Sequence, residues 1–156
     1  MSLVERIRAA RESGEVQAAV DIIPYARFLG ITAELDGRGR LLCTLPPRPG
    51  LVGSLETGAL HGGVVGAFLE TVGGLEVLWR RESDVMPRTV NITVDYLRGG
   101  GPVPTRATGI ITKLGRRVAN VRVEAWQEDE AKPIAHGHIH PLLGSPRLGP
   151  GRGSRR

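Results

Sequence analysis

The sequence predicts a single α+β domain in which one antiparallel sheet wraps around one long central helix. Three observations carry this expectation. A pair of strand-like runs, ITAEL and RLLCTL, flanks the turn residues Asp36-Gly37-Arg38-Gly39. From about Leu60 to Arg81 the apolar period lengthens to three and four residues, the spacing of a helix buried on a broad face. Beyond it the period returns to two over several further segments, as antiparallel strands require. No internal repeat and no second domain is visible.

Taken in order, residues 2–13 are expected as an amphipathic helix with Leu3, Ile7 and Ala10 on one side and Gly14 just past its end. A second short helix is expected over residues 16–23, stopped by Pro24. PYARFLGITAELDGRGRLLCTLP then reads as two strands joined by a tight turn. Pro46, Pro47 and Pro49 make residues 46–58 a loop. The long helix places Val64, Phe68, Thr71, Val72, Leu75 and Leu78 on its buried side. RTVNITVDYLR (88–98) alternates Val90, Ile92, Val94 and Tyr96 against polar residues. RATGIITKL and RVANVRVEAW follow, joined through Leu114-Gly115-Arg116-Arg117, and PIAHGHIHPLL closes the pattern. The domain is thus expected over residues 1–141. Residues 142–156, rich in Gly, Pro, Ser and Arg, are expected to form a disordered basic tail.

The chain has 156 residues, of which 40% are apolar and 24% charged, ordinary values for a globular domain. Aromatics make up only 4%, so the core must be aliphatic. Cys43 is the sole cysteine, which excludes an internal disulfide and fits a reducing compartment. No apolar run is read as approaching the roughly 20 residues of a membrane span, and MSLVERIRAARESGEV lacks the apolar centre of a secretory signal. The expectation is a cytoplasmic protein without a membrane partner. The net charge is +5, but Arg147, Arg152, Arg155 and Arg156 lie in the tail. Without those four, 17 basic residues face 16 acidic ones. A tail with no aromatic residue to stack on bases gives no reason to expect a nucleic-acid partner.

HGGVVGAFLETVGG, residues 61–74, holds five glycines inside the helical stretch. Each interior glycine costs a helix about 1 kcal/mol relative to alanine, so a tertiary gain should offset them. Gly66, Gly73 and Gly74 are expected to let the helix approach a curved sheet. Gly62 and Gly63 stand at the helix start, where backbone N–H groups lack intrahelical partners and the dipole is positive, the makings of an oxyanion site. Glu70 lies among apolar and small residues, so partial burial and a raised pKa are expected for it. An exposed place on the helix edge is the alternative, and is expected for Glu76. Gly62 and Glu70 are eight residues apart, about 12 Å along a helix. One acyl group cannot touch both, so a site using both requires two subunits. No Walker motif, dinucleotide fingerprint or G-x-S-x-G elbow is present.

HGGVVGAFLETVGG resembles the signature of hotdog-fold thioesterases of the phenylacetate-degradation (PaaI-like) type, His-Gly-Gly followed by an acid nine residues after the His. PYARFLGI, VNITVDYLR and TKLGRRVANVRVEAW agree in order, and the resemblance covers about residues 22–140. It implies a sheet of five or six strands around the helix, dimers that often pair into tetramers, and hydrolysis of acyl-CoA thioesters without metal or cofactor. It further implies that Gly62 donates its N–H to the thioester oxygen. Glu70 of the other subunit would serve as nucleophile or as general base on water, and His61 would shape the turn into the helix. Gly63 and Thr71 are read as substrate-binding. Arg116 and Arg117, in a hairpin turn, are read either as contacts for the phosphates of coenzyme A or as a solvated turn, with Arg98 ranked below them for the same contact. Many relatives carry Asn or Gln six residues before the His, and this chain has Leu55 there. Leu55 leaves open a non-catalytic acyl-CoA-binding protein, a sensor or carrier, while Glu70 favours the hydrolase. His136, His138 and His140 alternate along one strand and are read as a row beside a subunit interface in preference to a zinc site, because no carboxylate or cysteine neighbours them in sequence.

Overall fold

The computed structural model describes residues 1–81 and 85–144. Helix α1 (Leu3–Ser13) starts from Ser2, whose hydroxyl accepts from the N–H of Glu5 while the Glu5 carboxylate accepts from the N–H of Ser2, a reciprocal cap. Gly14 closes α1 in the left-handed conformation, φ 72°. Helix α2 spans Val16–Val20 and helix α3 spans Pro24–Leu29. Here the sequence expectation needs correcting. Pro24 does not merely stop a helix, for it occupies the first turn of the next one, where its missing N–H costs nothing. Gly30, also at φ 72°, ends α3, so PYARFL is helical and the first strand begins only at Thr32.

Strands β1 (Thr32–Leu35) and β2 (Leu41–Leu45) form the expected hairpin. A single 3-10 turn, Pro49–Leu51, interrupts the proline-rich loop. Helix α4 spans Gly62–Arg80. It is followed by β3 (Arg88–Tyr96), β4 (Thr105–Leu114), β5 (Ala119–Trp126) and β6 (Ala135–Leu142). The six strands form one antiparallel sheet in the order β1-β2-β4-β5-β6-β3, with β1 and β3 at its edges. Leu142 ends β6 and Leu143 is buried, two residues that the sequence reading assigned to the tail. The remainder of the expected tail, residues 145–156, lies outside the described residues.

The core is the layer between α4 and the sheet. Phe68, Val72, Leu75 and Leu78 are buried as expected, joined by Val65, Leu69 and Val77, while Val64 and Thr71 are only half-buried. The buried arc is broader than the sequence suggested because α2 packs beside the helix as well. Arg11 of α1 donates from Nε and Nη2 to the carbonyl of Leu78, meeting one of the orphan acceptors at the α4 C-terminus. Close approach to the sheet falls on particular glycines. A Cβ at Gly73 would lie 3.2 Å from Ile139, and one at Gly137 would lie 3.2 Å from Leu69 Cβ. Gly74, expected to serve the same end, has nothing within 4 Å of its Cβ position.

One further expectation fails. α4 is itself long and apolar enough to cross a membrane, with a mean hydropathy of 1.2. Half of that stretch is buried within the domain, the situation of a core helix.

Candidate active site

The start of α4 is built by His61 and two glycines. His61 is the N-cap, φ −63° and ψ 130°, and its Nδ1 accepts from the N–H of Gly63 at 2.9 Å. Gly63 is therefore not a free donor. Gly62, by contrast, has no acceptor for its N–H among the described residues. Its carbonyl accepts from the hydroxyl of Tyr96 at 2.7 Å. The one uncommitted donor of the glycine pair thus stands at the positive end of a 19-residue helix dipole.

Beside it opens a pocket of about 360 Å³, lined by Gly62, Val65, Tyr96, Arg98, Gly100 and Ile134. Its walls are firmly held. The N–H groups of Leu97 and Arg98 donate to the Ile134 carbonyl, and that of Leu60 to Gly100. The Gln127 side chain bonds both the N–H and the carbonyl of Gly101, at 3.0 and 2.9 Å. Arg98 donates from Nη1 to the Pro133 carbonyl at 2.6 Å, which brings a cation to the rim.

Glu70 and Glu76 exchange the places expected of them. Glu70 is exposed in the single chain, whereas Glu76 is 5% exposed. The reason is helix phase: Glu76 faces the sheet where Gly109 of β4 leaves room, and a Cβ at Gly109 would lie 3.2 Å from Glu76 Cβ. Glu76 Oε1 accepts from Arg80 Nε at 2.9 Å, and its Oε2 has no partner. Burial pushes its carboxyl above the usual carboxylate range, with Arg80 pulling the other way. Burial, and then the charge of Glu76, push the Cys43 thiol up to about 12, so Cys43 is an inert core residue.

The other candidates are spread through the fold. Thr71 is half-buried and its hydroxyl donates to the Ala67 carbonyl one turn back. Arg116 and Arg117 are exposed in the β4–β5 turn. The ten residues of β4 separate that turn from the pocket, about 33 Å at strand rise, so within one chain they do not meet Gly62. Arg98 does. Leu55 is 99% exposed. His136, His138 and His140 share the outer face of β6, and His136 does have carboxylate neighbours, which come from adjacent strands. Glu124 Oε1 lies 3.7 Å from His136 Nε2, and Asp95 is the register partner of His136 on β3. Among the described residues, no three metal-ligating side chains converge. The sequence reading missed Tyr96. Its alternation with Val90, Ile92 and Val94 placed it on the helix-facing side of β3, and a hydroxyl on that side was the available signal.

Residues 57–134 match the thioesterase superfamily. The medium/long-chain acyl-CoA thioesterase YigI of Salmonella typhimurium is 31% identical over 121 residues, covering 69% of this chain and 78% of that protein. YigI of Escherichia coli K12 is 30% identical with the same coverage. Among solved structures, a protein from Chromobacterium violaceum is 37% identical, with a TM-score of 0.73 over 92% of this chain and 98% of its own. A phenylacetic acid degradation-related protein from Ralstonia eutropha is 23% identical, with a TM-score of 0.68 over 78% of this chain and 91% of its own, and shares the fold. The expected hotdog arrangement is borne out by the topology and by these similarities together.

Proposed function

The chain belongs to the thioesterase superfamily and is a thioester hydrolase, and from that premise we propose that it hydrolyses acyl-CoA at a site completed across a dimer interface. The observation that carries this reading is the division of labour along α4. Gly62 offers a free N–H beside a pocket, and Glu70 offers an exposed carboxylate eight residues on, about 12 Å away along the axis. Neither can move toward the other without unwinding a core helix. A second copy therefore supplies the second group.

The chemistry then runs as follows. The thioester oxygen accepts from Gly62 N–H, which stabilises the negative charge that develops there. Glu70 of the partner subunit takes a proton from water as the water oxygen bonds to the carbonyl carbon. Collapse of the tetrahedral species breaks the C–S bond and releases the carboxylic acid. The coenzyme A thiolate leaves and takes the proton held by Glu70, which regenerates the carboxylate. Arg98 at the pocket rim is placed for an anionic part of the substrate.

Two further features support this reading. β3 is an edge strand of nine residues, and Val90, Tyr96 and Leu97 at or just beyond it are 60%, 58% and 46% exposed. Such an edge is a liability unless covered, and a second β3 would cover it. The YigI proteins, acting on medium- and long-chain acyl-CoA, make aliphatic chains the first substrates to try. The test is thiol release from aliphatic and aromatic acyl-CoAs by the native protein and by Glu70→Gln. Turnover should fall about 100-fold in the variant, the contribution of a positioned acid-base group. Turnover that the substitution leaves intact removes Glu70 from the mechanism.

A further inference from the structure

The Gly62–Gly63 peptide is held at both ends. Its carbonyl accepts from Tyr96 Oη at 2.7 Å, and its N–H donates to His61 Nδ1 at 2.9 Å. Two adjacent glycines at a helix start would otherwise leave this segment wide backbone freedom. The Gly62 N–H belongs to the preceding peptide, whose His61 carbonyl accepts from the N–H groups of Val64 and Val65 at 2.9 and 3.2 Å; holding the Gly62–Gly63 peptide fixes the torsions that join the two planes.

We propose that Tyr96 is a positioning residue for thioester hydrolysis: together with His61 it clamps the Gly62–Gly63 peptide and so aims the Gly62 N–H at the oxyanion. The inference rests on reading Gly62 as the oxyanion donor. Tyr96 is well placed for the task, as the last residue of β3, opposite Ala135 on β6. Its ring lies against Gly62, where a Cβ would sit 3.4 Å from it, and its hydroxyl is 3.7 Å from the Cβ position of Gly66. At 58% exposure the ring is not needed to fill the core. Its hydroxyl bond is the specific thing it contributes.

Tyr96→Phe keeps the ring and deletes the bond. The variant should melt close to the native protein and bind a thioether analogue of acyl-CoA, which lacks the carbonyl oxygen, with unchanged affinity. Its kcat should fall about 10- to 100-fold, the scale of a misplaced catalytic group, with KM held within about twofold. Independently of turnover, amide hydrogen exchange at Gly63 should accelerate, because the clamp has lost one of its two ends. Glu70→Gln assayed in parallel separates the two ideas. If Glu70→Gln is inactive while Tyr96→Phe keeps its native kcat, the clamp is refuted. If Glu70→Gln turns over normally, the catalytic reading falls, and unchanged Gly63 exchange in Tyr96→Phe overturns the clamp on its own.

Discussion

Replacing Gly62 by proline removes one N–H and very little else. Gly62 is the first residue of α4, and His61 before it has φ −63° and ψ 130°, the extended conformation that proline imposes on its predecessor. The first helical position is where proline is best tolerated. No hydrogen bond is lost, because the Gly62 N–H has no acceptor among the described residues. A Cβ there meets the Tyr96 ring at 3.4 Å, ordinary contact. The stiffer unfolded chain should return about 0.4–1 kcal/mol, so the melting temperature should hold or rise. Catalysis should not survive. Removing one oxyanion donor costs about 100- to 1,000-fold in kcat, about 2.7–4 kcal/mol. KM should move little, because the lost interaction belongs to the transition state. Thiol release and a thermal melt on the same preparation check both halves, and a folded Gly62→Pro protein with native kcat refutes the assignment. Co-expression with Glu70→Gln carries the argument to the assembly. In a shared site, a mixed dimer has one site with both faults and one with neither. Equal amounts of the two chains should therefore recover about one quarter of native activity, whereas a site contained in one chain recovers none.

Two further substitutions probe the helix itself. Gly74→Ala should raise the melting temperature by about 2–4 °C, from about 1 kcal/mol of helix propensity, since nothing within the chain lies near the new methyl group; a fall instead would mean that a second chain packs there. Glu76→Gln keeps an acceptor for Arg80 and removes a charge whose pKa is raised in the folded state. A raised folded-state pKa means stability present at acid pH is lost as pH rises through that value. The variant should therefore gain on the native protein near pH 8, the gap closing toward about pH 5. A native protein more stable than the variant at the higher pH would show that the ion pair with Arg80 outweighs the cost of burial.

The arrangement of strands around a helix was legible because periods of two and of three to four report directly which elements bury one face. What the sequence hid was non-local. Glu70 and Glu76 sit in the same apolar run, about 240° apart around the helix, and no local pattern tells which faces the sheet. That is decided by Gly109, which opens space above Glu76 from a strand 33 residues further on. Tyr96 likewise reads as one more alternating residue until the fold brings it to the carbonyl of Gly62, 34 residues earlier. His136 of β6 lacked a carboxylate neighbour in sequence and gained Glu124 from β5 and Asp95 from β3. Pro24 was a different failure, for the same residue ends one helix or begins the next, and the left-handed Gly30 six residues later was the signal for a beginning.

On the proposed reading, the site is incomplete in one chain because of rigidity rather than a missing residue. Both proposed groups ride on α4, which is packed along most of its length by Phe68, Leu69, Val72, Leu75 and Leu78. A loop could swing a carboxylate toward the Gly62 N–H, but a core helix cannot without breaking its own hydrogen bonds and its packing. The element that can be completed is the sheet, whose β3 edge pairs with β6 alone and ends in the tyrosine that holds Gly62. On the proposed reading, covering that edge with a second copy delivers the partner subunit's Glu70 and shields the clamp from water in one step. Assembly and catalytic geometry would then be set by the same strand, and weakening the edge should cost activity even in chains that keep Gly62 and Glu70 intact.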